Sequence, residues 1–391
     1  MRQKGTQVKI LAALSGGVDS SLAAALAVEA GHEVVGVHMM LSEAAEAAAA
    51  ETAIAKSSPT GAEIARGCGS PQDVSDAQLA ARLLGIPFEV WDISEDFEEL
   101  VVADFLAEYR TGRTPNPCVR CNQLIKSREM LRRALPLGFD AVLTGHYARI
   151  VDGGLYRARF REKDQSYVLA VMGRDAHERL YLPVGNYESK VAVREAAAQR
   201  GLPMSDKPES FDICFIPDGD TAGFLRRHLG EEPGEIVDTE GQVVGEHRGA
   251  YTFTVGQRRG LDIRRPAADG RPRYVLGTDM GTNRVFVGAE ELLAVRGVSG
   301  NNPVVLVEED YPGLHGEREL MVQYRAHGRV APARVFLESS GEGQPADAEA
   351  SAPGLRVEFA EPQRAIAAGQ ALVVYDDERA LAQVDIAATS R

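Results

Sequence analysis

Two short strings of the sequence hold side chains whose types and spacing could do chemistry. One is Ser15 to Ser21, which reads SGGVDSS, and the other is Thr114 to Asn122, which reads TPNPCVRCN. The first offers backbone N–H groups and hydroxyls, which suit the binding of a phosphate. The second presents two thiols in a proline-rich loop, which suit sulfur chemistry or metal ligation.

The SGGVDSS string has the setting expected of a phosphate-binding turn. It follows an apolar run and precedes an Ala- and Leu-rich run, which indicates a buried strand, a glycine turn and a helix. Glycines let backbone N–H groups approach a phosphate, and the helix N-terminus adds partial positive charge. The string lacks the Lys of a Walker loop and the Gly-x-Gly-x-x-Gly pattern, which disfavours a P-loop kinase or a dinucleotide enzyme. A plain turn with Asp19 or Ser20 as the N-cap is the alternative.

The paired cysteines, Cys118 and Cys121, stand just before a predicted helix, where the helix N-terminus stabilises a thiolate and lowers a thiol pKa. The alternatives are a structural zinc half-site and an inert buried pair. Zinc is disfavoured because no second Cys-x-x-Cys and no close pair of His completes four ligands. Cys214 lies between Ile and Phe, a setting typical of a core cysteine, and Cys68 is taken as incidental.

The elements around these strings alternate between strands and helices, which predicts an α/β fold with a doubly wound parallel sheet. The predicted strands are Val8 to Leu14, Glu33 to Met39, Pro87 to Ile93 and Ala141 to Gly145, and the predicted helices are Ser20 to Ala30, Asp73 to Leu84, Phe97 to Tyr109 and Leu124 to Leu135. From about Pro217 the pattern loosens into glycine-rich turns. From about Gly297 short alternating strands predict a small β-barrel or sandwich.

The chain has 391 residues, which predicts more than one domain. The boundaries we expect are 1–216 for a nucleotide-binding catalytic domain, 217–292 for a small central domain and 293–391 for a C-terminal β-barrel. Residues 43–67 are low in complexity and read as an insertion. Four cysteines are too few for a disulfide framework, and no apolar run is long enough to cross a membrane, so we expect a cytoplasmic protein.

The formal net charge of -14 argues against a general binder of polyanions, because such binding rests on Lys and Arg. A nucleic-acid partner therefore requires a local basic patch. The candidate is a cluster of arginines in the predicted central domain: Arg258, Arg259, Arg264, Arg265, Arg271 and Arg273. An ordinary solvated loop is the alternative for this cluster.

Seven strings resemble, in order and spacing, the MnmA family of tRNA-specific 2-thiouridylases, which belongs to the pyrophosphatase-loop ATP enzymes. They are Ser15 to Ser21, Gly112 to Pro117, Cys121-Asn122, Thr144 to Arg149, Lys163 to Tyr167, Ile213 to Phe215 and Gly256 to Leu261. The resemblance covers nearly the entire chain. It implies an adenine nucleotide α-hydrolase-like N-terminal domain and ATP-dependent thiolation of a tRNA uridine.

The resemblance also assigns binding residues. It implies ATP binding by Ala13, Leu14, Ser15, Gly16, Gly17, Val18, Asp19 and Ser20, with Met39 and Gly145 lining the adenosine site. Mg²⁺ would bridge the phosphates, and Asp19 would join its ligand shell or orient the loop. Contact with the target base is implied for Asn116, Pro117 and Cys118. Other tRNA contacts are implied for His146, Lys163, Asp164, Gln165, Tyr324, Arg325 and Gln370.

By the same resemblance, Cys121 is the nucleophile and Cys214 carries a persulfide. The chain departs from the family at Cys118, where some members have an Asp that could act as a general base. Cys118, Cys121 and Cys214 together would suffice to hold a [4Fe-4S] cluster with one open iron. Persulfide chemistry without a cluster and a cluster enzyme both remain open on the sequence alone.

The implied reaction is adenylation of the uridine 2-oxygen, release of AMP and pyrophosphate, and replacement of the oxygen by sulfur. A persulfide donor protein, a cysteine desulfurase or a relay, would load Cys214, and one route ends in a Cys121–Cys214 disulfide. The implied substrates are the Lys, Glu and Gln tRNAs at wobble position 34 in the anticodon loop. Two rivals are an adenylating enzyme acting on a small amidation substrate and a non-enzymatic tRNA-binding or sulfur-relay protein.

Overall fold

The computed structural model describes residues 7–41, 71–206, 213–216, 218–263, 270–326, 328–338 and 353–391. The expected insertion at 43–67, Cys68, Arg264 and Arg265 lie outside the described residues. The chain divides into two compact units, one of residues 1–102, 117–220 and 378–380 and one of residues 103–116, 221–377 and 381–391. The three domain boundaries expected from the sequence remain a prediction.

The first unit contains a five-stranded sheet, a β-hairpin and eight α-helices among its described residues. The strands are β1 Lys9–Ala13, β2 Glu33–Met40, β3 Phe88–Asp92, β4 Ala141–Leu143, β5 Ala148–Val151, β6 Gly154–Arg157 and β7 Leu180–Tyr181. The helices are α1 Val18–Glu29, α2 Pro71–Leu84, α3 Ser94–Phe97, α5 Pro117–Arg120, α6 Met130–Ala134, α7 Ser166–Leu169, α8 Arg174–His177 and α9 Lys190–Gln199; α4 Ala103–Arg110 belongs to the second unit. Two π-helices, Glu98–Val102 and Cys121–Glu129, also lie in the first unit.

The five-stranded sheet has the order β3-β2-β1-β4-β7, and every neighbouring pair is parallel. Side chains alternate across β1, so Ile10 and Ala12 join the apolar cluster that includes α1, while Leu11 and Ala13 join a second cluster. Burial on both faces explains why the first strand reads as one continuous apolar run. The predicted doubly wound α/β class is confirmed.

The sheet order also defines where a ligand would bind. The chain passes from β1 to β2 and β3 on one side, and β4 then lies on the other side of β1. In open α/β sheets, ligands bind outside the carboxyl ends of the strands at such a reversal. The loops that follow β1 and β4 are therefore the first place to look for a site.

Two predicted helices differ from the observed ones. The prediction from Phe97 to Tyr109 holds a π-helical segment, Glu98–Val102, and the prediction from Leu124 to Leu135 begins earlier, at Pro117, and is π-helical over Cys121–Glu129. Both π segments pack against each other. Because π-helical segments are rare and occur mostly within α-helices, apolar spacing at the α-helical period did not reveal them.

The second unit is rich in β-strands. Its strands are β8 Gly234–Val237, β9 Val243–His247, β10 Tyr274–Asp279, β11 Arg284–Gly288, β12 Ala294–Asn301, β13 Val304–Val305, β14 Leu320–Gln323, β15 Ala331–Glu338, β16 Gly354–Arg364, β17 Ala371–Asp376, β18 Arg379–Asp385 and β19 Ala388–Ser390, and α10 is Thr221–Leu229. The first two residues of β18 are counted with the first unit.

One sheet of the second unit has the order β10-β11-β8-β9, with β8 and β11 parallel and the other pairs antiparallel. A larger sheet follows the order β19-β12-β16-β15-β14-β17-β18. Its inward side chains, such as Val322, Val335 and Val357, form one apolar cluster. No helix among the described residues has the length and apolar character needed to span a membrane.

Candidate active site

The SGGVDSS string lies at the carboxyl end of β1 and at the start of α1. The N-cap of α1 is Gly17, whose lack of a side chain leaves the first turn without a side-chain cap. Gly16 has φ +75°, and a Cβ there would lie 2.9 Å from the Cα of Asp73, so the position requires glycine. The turn is therefore a helix N-terminus with closely approachable backbone, which suits an anion.

The two serines that flank the turn hold its shape. The Ser15 backbone N–H donates to Ser20 Oγ at 3.1 Å, and the Oγ atoms of these two residues are also 3.1 Å apart. Ser21 Oγ donates to the Gly17 carbonyl at 2.9 Å. The hydroxyls thus support the turn from within, in addition to any donation to a ligand.

Gly145 brings the loop after β4 against the same turn. A Cβ on Gly145 would lie 2.6 Å from the Ser20 backbone nitrogen and 2.7 Å from the Asp19 carbonyl carbon. Met39 lies at the carboxyl end of β2. The residues predicted to bind ATP, Ala13 to Ser20 with Met39 and Gly145, therefore share the carboxyl edge of β1, β2 and β4; their binding of ATP stays a prediction.

Asp19 is engaged by two residues that sequence reasoning gave no role. Lys190 Nζ donates to both carboxylate oxygens at 2.8 Å, and the Tyr147 hydroxyl donates to Oδ1 at 2.7 Å. Side chains of Asp19 and Lys190 are 29% and 17% exposed, so water screens this pair only in part. The arrangement favours Asp19 as a residue that orients the loop.

The local sequence explains how Lys190 is presented. Ser189 is the N-cap of α9, and its Oγ accepts from the Ala192 backbone N–H at 3.1 Å. A Ser-Lys pair before an Ala-rich run could have indicated a capped helix with a cation in its first turn. Nothing in that pattern indicates Asp19 as the partner.

The paired thiols lie on adjoining helices. Cys118 is in α5, and the buried Cys121 begins the π-helix Cys121–Glu129. Asn122 is buried and donates from Nδ2 to the Cys118 carbonyl at 2.8 Å, which fixes the turn between the two thiols. No disulfide joins Cys118, Cys121 and Cys214, the three described cysteines.

Cys214 lies on a segment that contacts α3. The ring of Phe215 packs edge-on against Phe97 of α3, with ring centroids 5.9 Å apart. That short helix also packs against the π-helix that Cys121 begins. The segment that holds Cys214 and the π-helix that holds Cys121 therefore both contact α3. The chemical roles of the two cysteines stay a prediction.

His146 follows Gly145 and is fixed by two side chains. Its Nδ1 lies 2.8 Å from Thr144 Oγ1, and its Nε2 lies 3.4 Å from Lys126 Nζ. Burial first, and then the charge of Lys126, hold the pKa of His146 well below its usual value. The imidazole is therefore neutral at physiological pH. Lys126 is a further residue that the sequence reasoning missed.

The Lys163-Asp164-Gln165 string is tied into the fold by two of its three side chains. Asp164 is only 3% exposed and accepts from Arg157 Nε at 2.7 Å, from the Ala158 backbone N–H and from Ser166. Gln165 Oε1 accepts from the Tyr147 backbone N–H at 2.9 Å. Asp164 thus shapes the loop, in which Lys163 is half-buried. The tRNA contacts expected of these three residues stay a prediction.

The remaining residues predicted to contact tRNA belong to the second unit. Arg325 donates to the carbonyls of Arg364 and Ala365, and a Cβ on Gly256 would lie 3.2 Å from the Ala365 Cα. The basic Gly256 to Arg259 turn and Arg325 therefore meet at Ala365. Arg258, Arg259 and Arg325 are exposed there.

Gln370 is placed beside the loop that leads to Asn116. Thr114 donates its backbone N–H to the Ala368 carbonyl at 2.8 Å, and a Cβ on Gly369 would lie 3.0 Å from Arg113 Cβ. Gln370 follows directly. The Tyr324 hydroxyl, by contrast, donates to Gln363 Oε1 at 3.0 Å and is only partly exposed.

A metal site would require several ligand side chains close together. Within the described part of the chain, no group of three His, Cys, Asp or Glu side chains is arranged to hold a metal ion. The [4Fe-4S] cluster considered for Cys118, Cys121 and Cys214 stays a prediction.

Comparison with known proteins identifies the family. A family model described as the tRNA methyl transferase HUP domain matches residues 8–218. Models described as the tRNA methyl transferase PRC-barrel domain and the aminomethyltransferase beta-barrel domain match residues 222–289 and 301–382. The tRNA-specific 2-thiouridylase MnmA of Beutenbergia cavernae is 54% identical, covering 98% of this chain and 96% of that protein. The chain belongs to the MnmA family of tRNA-specific 2-thiouridylases.

Other MnmA proteins are similar to the same extent. The tRNA-specific 2-thiouridylase MnmA of Acidothermus cellulolyticus is 52% identical over 98% of this chain and 99% of its own length. That of Kocuria rhizophila is 49% identical over 97% of both chains. The MnmA resemblance drawn from the seven strings is confirmed. The predicted fold class is confirmed as well, with a β-barrel model matching the C-terminal part.

Proposed function

We propose that this MnmA-family protein is an ATP-dependent tRNA-uridine 2-sulfurtransferase that forms 2-thiouridine at position 34 of the Lys, Glu and Gln tRNAs. One observation carries the proposal beyond family membership. The loop after β4 touches the anion-binding turn through Gly145 and the thiol-bearing π-helix through His146 and Lys126. ATP chemistry and sulfur chemistry would thus share one edge of one sheet.

The first step would be adenylation of the base. The uridine 2-oxygen attacks the α-phosphorus of ATP, an O–P bond forms, and the bond to pyrophosphate breaks. The N-terminus of α1 and the Ser15 and Ser20 hydroxyls would hold the departing pyrophosphate. This step is needed because the carbonyl oxygen is a poor leaving group until it belongs to AMP.

Sulfur transfer would follow from Cys214. In one route Cys121 thiolate attacks the inner sulfur of a Cys214 persulfide, forms a disulfide and releases hydrosulfide, which attacks C2 as AMP leaves. In the other, the terminal persulfide sulfur attacks C2 directly as AMP leaves, and Cys121 then cleaves the S–S bond. Both routes end with a Cys121–Cys214 disulfide, so a dithiol reductant is required for each turnover.

Mg²⁺ would bind through the phosphates of ATP and water, since the Asp19 carboxylate already binds Lys190 and Tyr147. Bound there, the ion would neutralise phosphate charge. For a [4Fe-4S] cluster the described cysteines supply no grouped ligand set, so we assign no step to it. The sulfur donor is proposed by chemical class only, as a protein persulfide.

The tRNA would contact exposed arginines despite the acidic chain. Arg325 and the turn that leads from Gly256 to Arg258 and Arg259 contact Ala365, and the loop towards Asn116 lies beside Gln370. The thiols would act on an extruded anticodon base, because loop bases are already accessible. A non-enzymatic tRNA-binding protein would share this surface but would not form AMP.

The test is tRNA thiolation by protein purified without oxygen. Unmodified tRNA, ATP and a cysteine desulfurase with cysteine are supplied to wild type and to Cys118→Ala, Cys121→Ala and Cys214→Ala, and iron, AMP and thiolated tRNA are measured. We expect little iron, activity in Cys118→Ala, and no thiolation in the other two variants, which should still form AMP.

Other outcomes decide against parts of the proposal. Stoichiometric iron with all three variants inactive would establish a cluster enzyme. ATP turnover that ignores tRNA would favour the small-substrate rival. Binding of tRNA with no AMP formed by wild type would favour the non-enzymatic protein.

A further inference from the structure

The Tyr147 side chain reaches from the loop after β4 to the first turn of α1. Tyr147 is buried, with 3% of its surface exposed, in the apolar cluster that also contains side chains of α1. Its hydroxyl donates to Asp19 Oδ1 at 2.7 Å. A buried tyrosine hydroxyl needs a hydrogen-bond partner, and here the partner is a carboxylate of the SGGVDSS turn. Tyr147 is thus bonded directly to the predicted phosphate-binding turn.

A carboxylate in an anion-binding turn needs its charge balanced. Asp19 lies in the first turn of α1, where its negative charge would repel an incoming phosphate. Lys190 Nζ donates to both carboxylate oxygens at 2.8 Å and lies over the Tyr147 ring, 5.6 Å from the centroid. Tyr147 therefore contacts the carboxylate through its hydroxyl and the ammonium group through its ring. Both contacts keep the two opposite charges together.

The backbone of Tyr147 is fixed by the last residue of the Lys163-Asp164-Gln165 string. Gln165 Oε1 accepts from the Tyr147 backbone N–H at 2.9 Å, and the Gln165 backbone N–H donates to the Tyr147 carbonyl at 2.7 Å. The Phe160 ring packs edge-on against the Tyr147 ring, with centroids 6.3 Å apart. A continuous series of contacts therefore runs from Gln165 through Tyr147 to Asp19.

We propose that Tyr147 is a positioning residue for the nucleotide-binding turn and that Gln165 supports it through the Tyr147 backbone. Tyr147 would act through Asp19, because its hydroxyl keeps the carboxylate paired with Lys190. The turn would then offer its N–H groups to the phosphates of ATP without an unbalanced negative charge. The inference rests on the proposed function for the reaction that is assayed. It gives Gln165 a role on the nucleotide side of the site, which the family resemblance does not assign.

The test removes one contact at a time. Tyr147→Phe removes only the hydroxyl, Gln165→Met removes the oxygen that accepts from the Tyr147 backbone, and Gln165→Glu keeps an acceptor at that position. Tyr156→Phe is the matched control, because it removes a tyrosine hydroxyl from β6 in the hairpin that follows Tyr147. The measurements are the Kd of a non-hydrolysable ATP analogue with Mg²⁺, KM for ATP and kcat in tRNA-dependent AMP formation, tRNA affinity and thermal midpoints.

We expect Tyr147→Phe to raise KM for ATP and the Kd of the analogue roughly tenfold, as for the loss of one hydrogen bond to a charged group. The kcat should stay within about threefold, because phosphates held equally in the ground state and the transition state affect KM alone. Gln165→Met should raise KM roughly threefold, as for a bond between neutral groups, and Gln165→Glu should restore it. Tyr156→Phe should match wild type in every measurement.

Unchanged KM for ATP and unchanged analogue affinity in Tyr147→Phe would overturn the inference. A lower kcat and a lower thermal midpoint at unchanged KM would also overturn it, because that result describes a structural role. So would a Gln165→Met variant that binds tRNA more weakly at unchanged KM for ATP. If wild type binds the analogue but forms no AMP, the proposed function fails, while the analogue affinity of the variants still tests Tyr147.

Discussion

Gly145 offers the most direct test of the geometry around the nucleotide edge. A Cβ there would meet the Ser20 nitrogen at 2.6 Å and the Asp19 carbonyl carbon at 2.7 Å. Since ordinary carbon contacts begin near 3.4 Å, the start of α1 must retreat by roughly 0.8 Å in Gly145→Ala. Displacing a binding group by about 1 Å can cost 10²-fold in rate. We expect tRNA-dependent AMP formation to fall by roughly that factor, and stability by about 1–3 kcal/mol.

The control for Gly145→Ala is Gly277→Ala. A Cβ on Gly277 meets nothing within 4 Å, and its φ lies outside the left-handed region. The free energy of unfolding of that variant should lie within about 0.5 kcal/mol of the wild-type value, and its rate of AMP formation should be unchanged. Urea unfolding, titration with a non-hydrolysable ATP analogue and single-turnover AMP formation are measured on both. Full rate and unchanged nucleotide affinity in Gly145→Ala would refute the contact between the two loops.

Two further predictions concern charged pairs. Lys190→Met removes both hydrogen bonds to Asp19. We therefore expect the free energy of unfolding, measured with urea, to fall by about 2 kcal/mol and AMP formation to be slower. Additivity with Asp19→Asn in a double-mutant cycle would contradict that pairing. Hydrogen bonds from Arg132, and secondarily from Arg133, lower the pKa of Glu129 from 4.5 to about 2. A depressed folded-state pKa stabilises the fold above about pH 4.5, and the effect is lost as pH falls towards 2. The free energy of unfolding of wild type should therefore exceed that of Glu129→Gln by about 2 kcal/mol at pH 7, a value discounted because Arg132 is 65% exposed. At pH 3 the difference should be much smaller. Equal differences at both pH values in urea unfolding would count against this prediction.

The strand, turn and helix at this edge of the sheet were predictable because the sequence patterns that indicate them are local. The apolar run before SGGVDSS became β1, Lys9–Ala13, and the Ala-rich run after it became α1, Val18–Glu29. Glycines at the turn were needed for close approach, as Gly16 at φ +75° illustrates. Short alternating runs near the C-terminus also became strands, such as Ala371–Asp376.

The partners of the site residues were not predictable, because they depend on distant segments. Nothing near Asp19 indicates Lys190, and nothing near His146 indicates Lys126. Asp164 matched a tRNA-contacting position, yet its carboxylate is buried among Arg157, Ala158 and Ser166. A motif gives residue types and order, while the bonds that fix a side chain follow from packing.

The distance along the chain between Asp19 and Lys190 has a consequence for biosynthesis. The two residues are 171 positions apart, so the anion-binding turn leaves the ribosome long before the lysine that holds it. At about 5–20 residues per second, the interval is roughly 10–30 s. A nascent chain released within that interval would contain the whole SGGVDSS turn and α1. It would lack Lys190, which hydrogen-bonds to Asp19 in the folded unit.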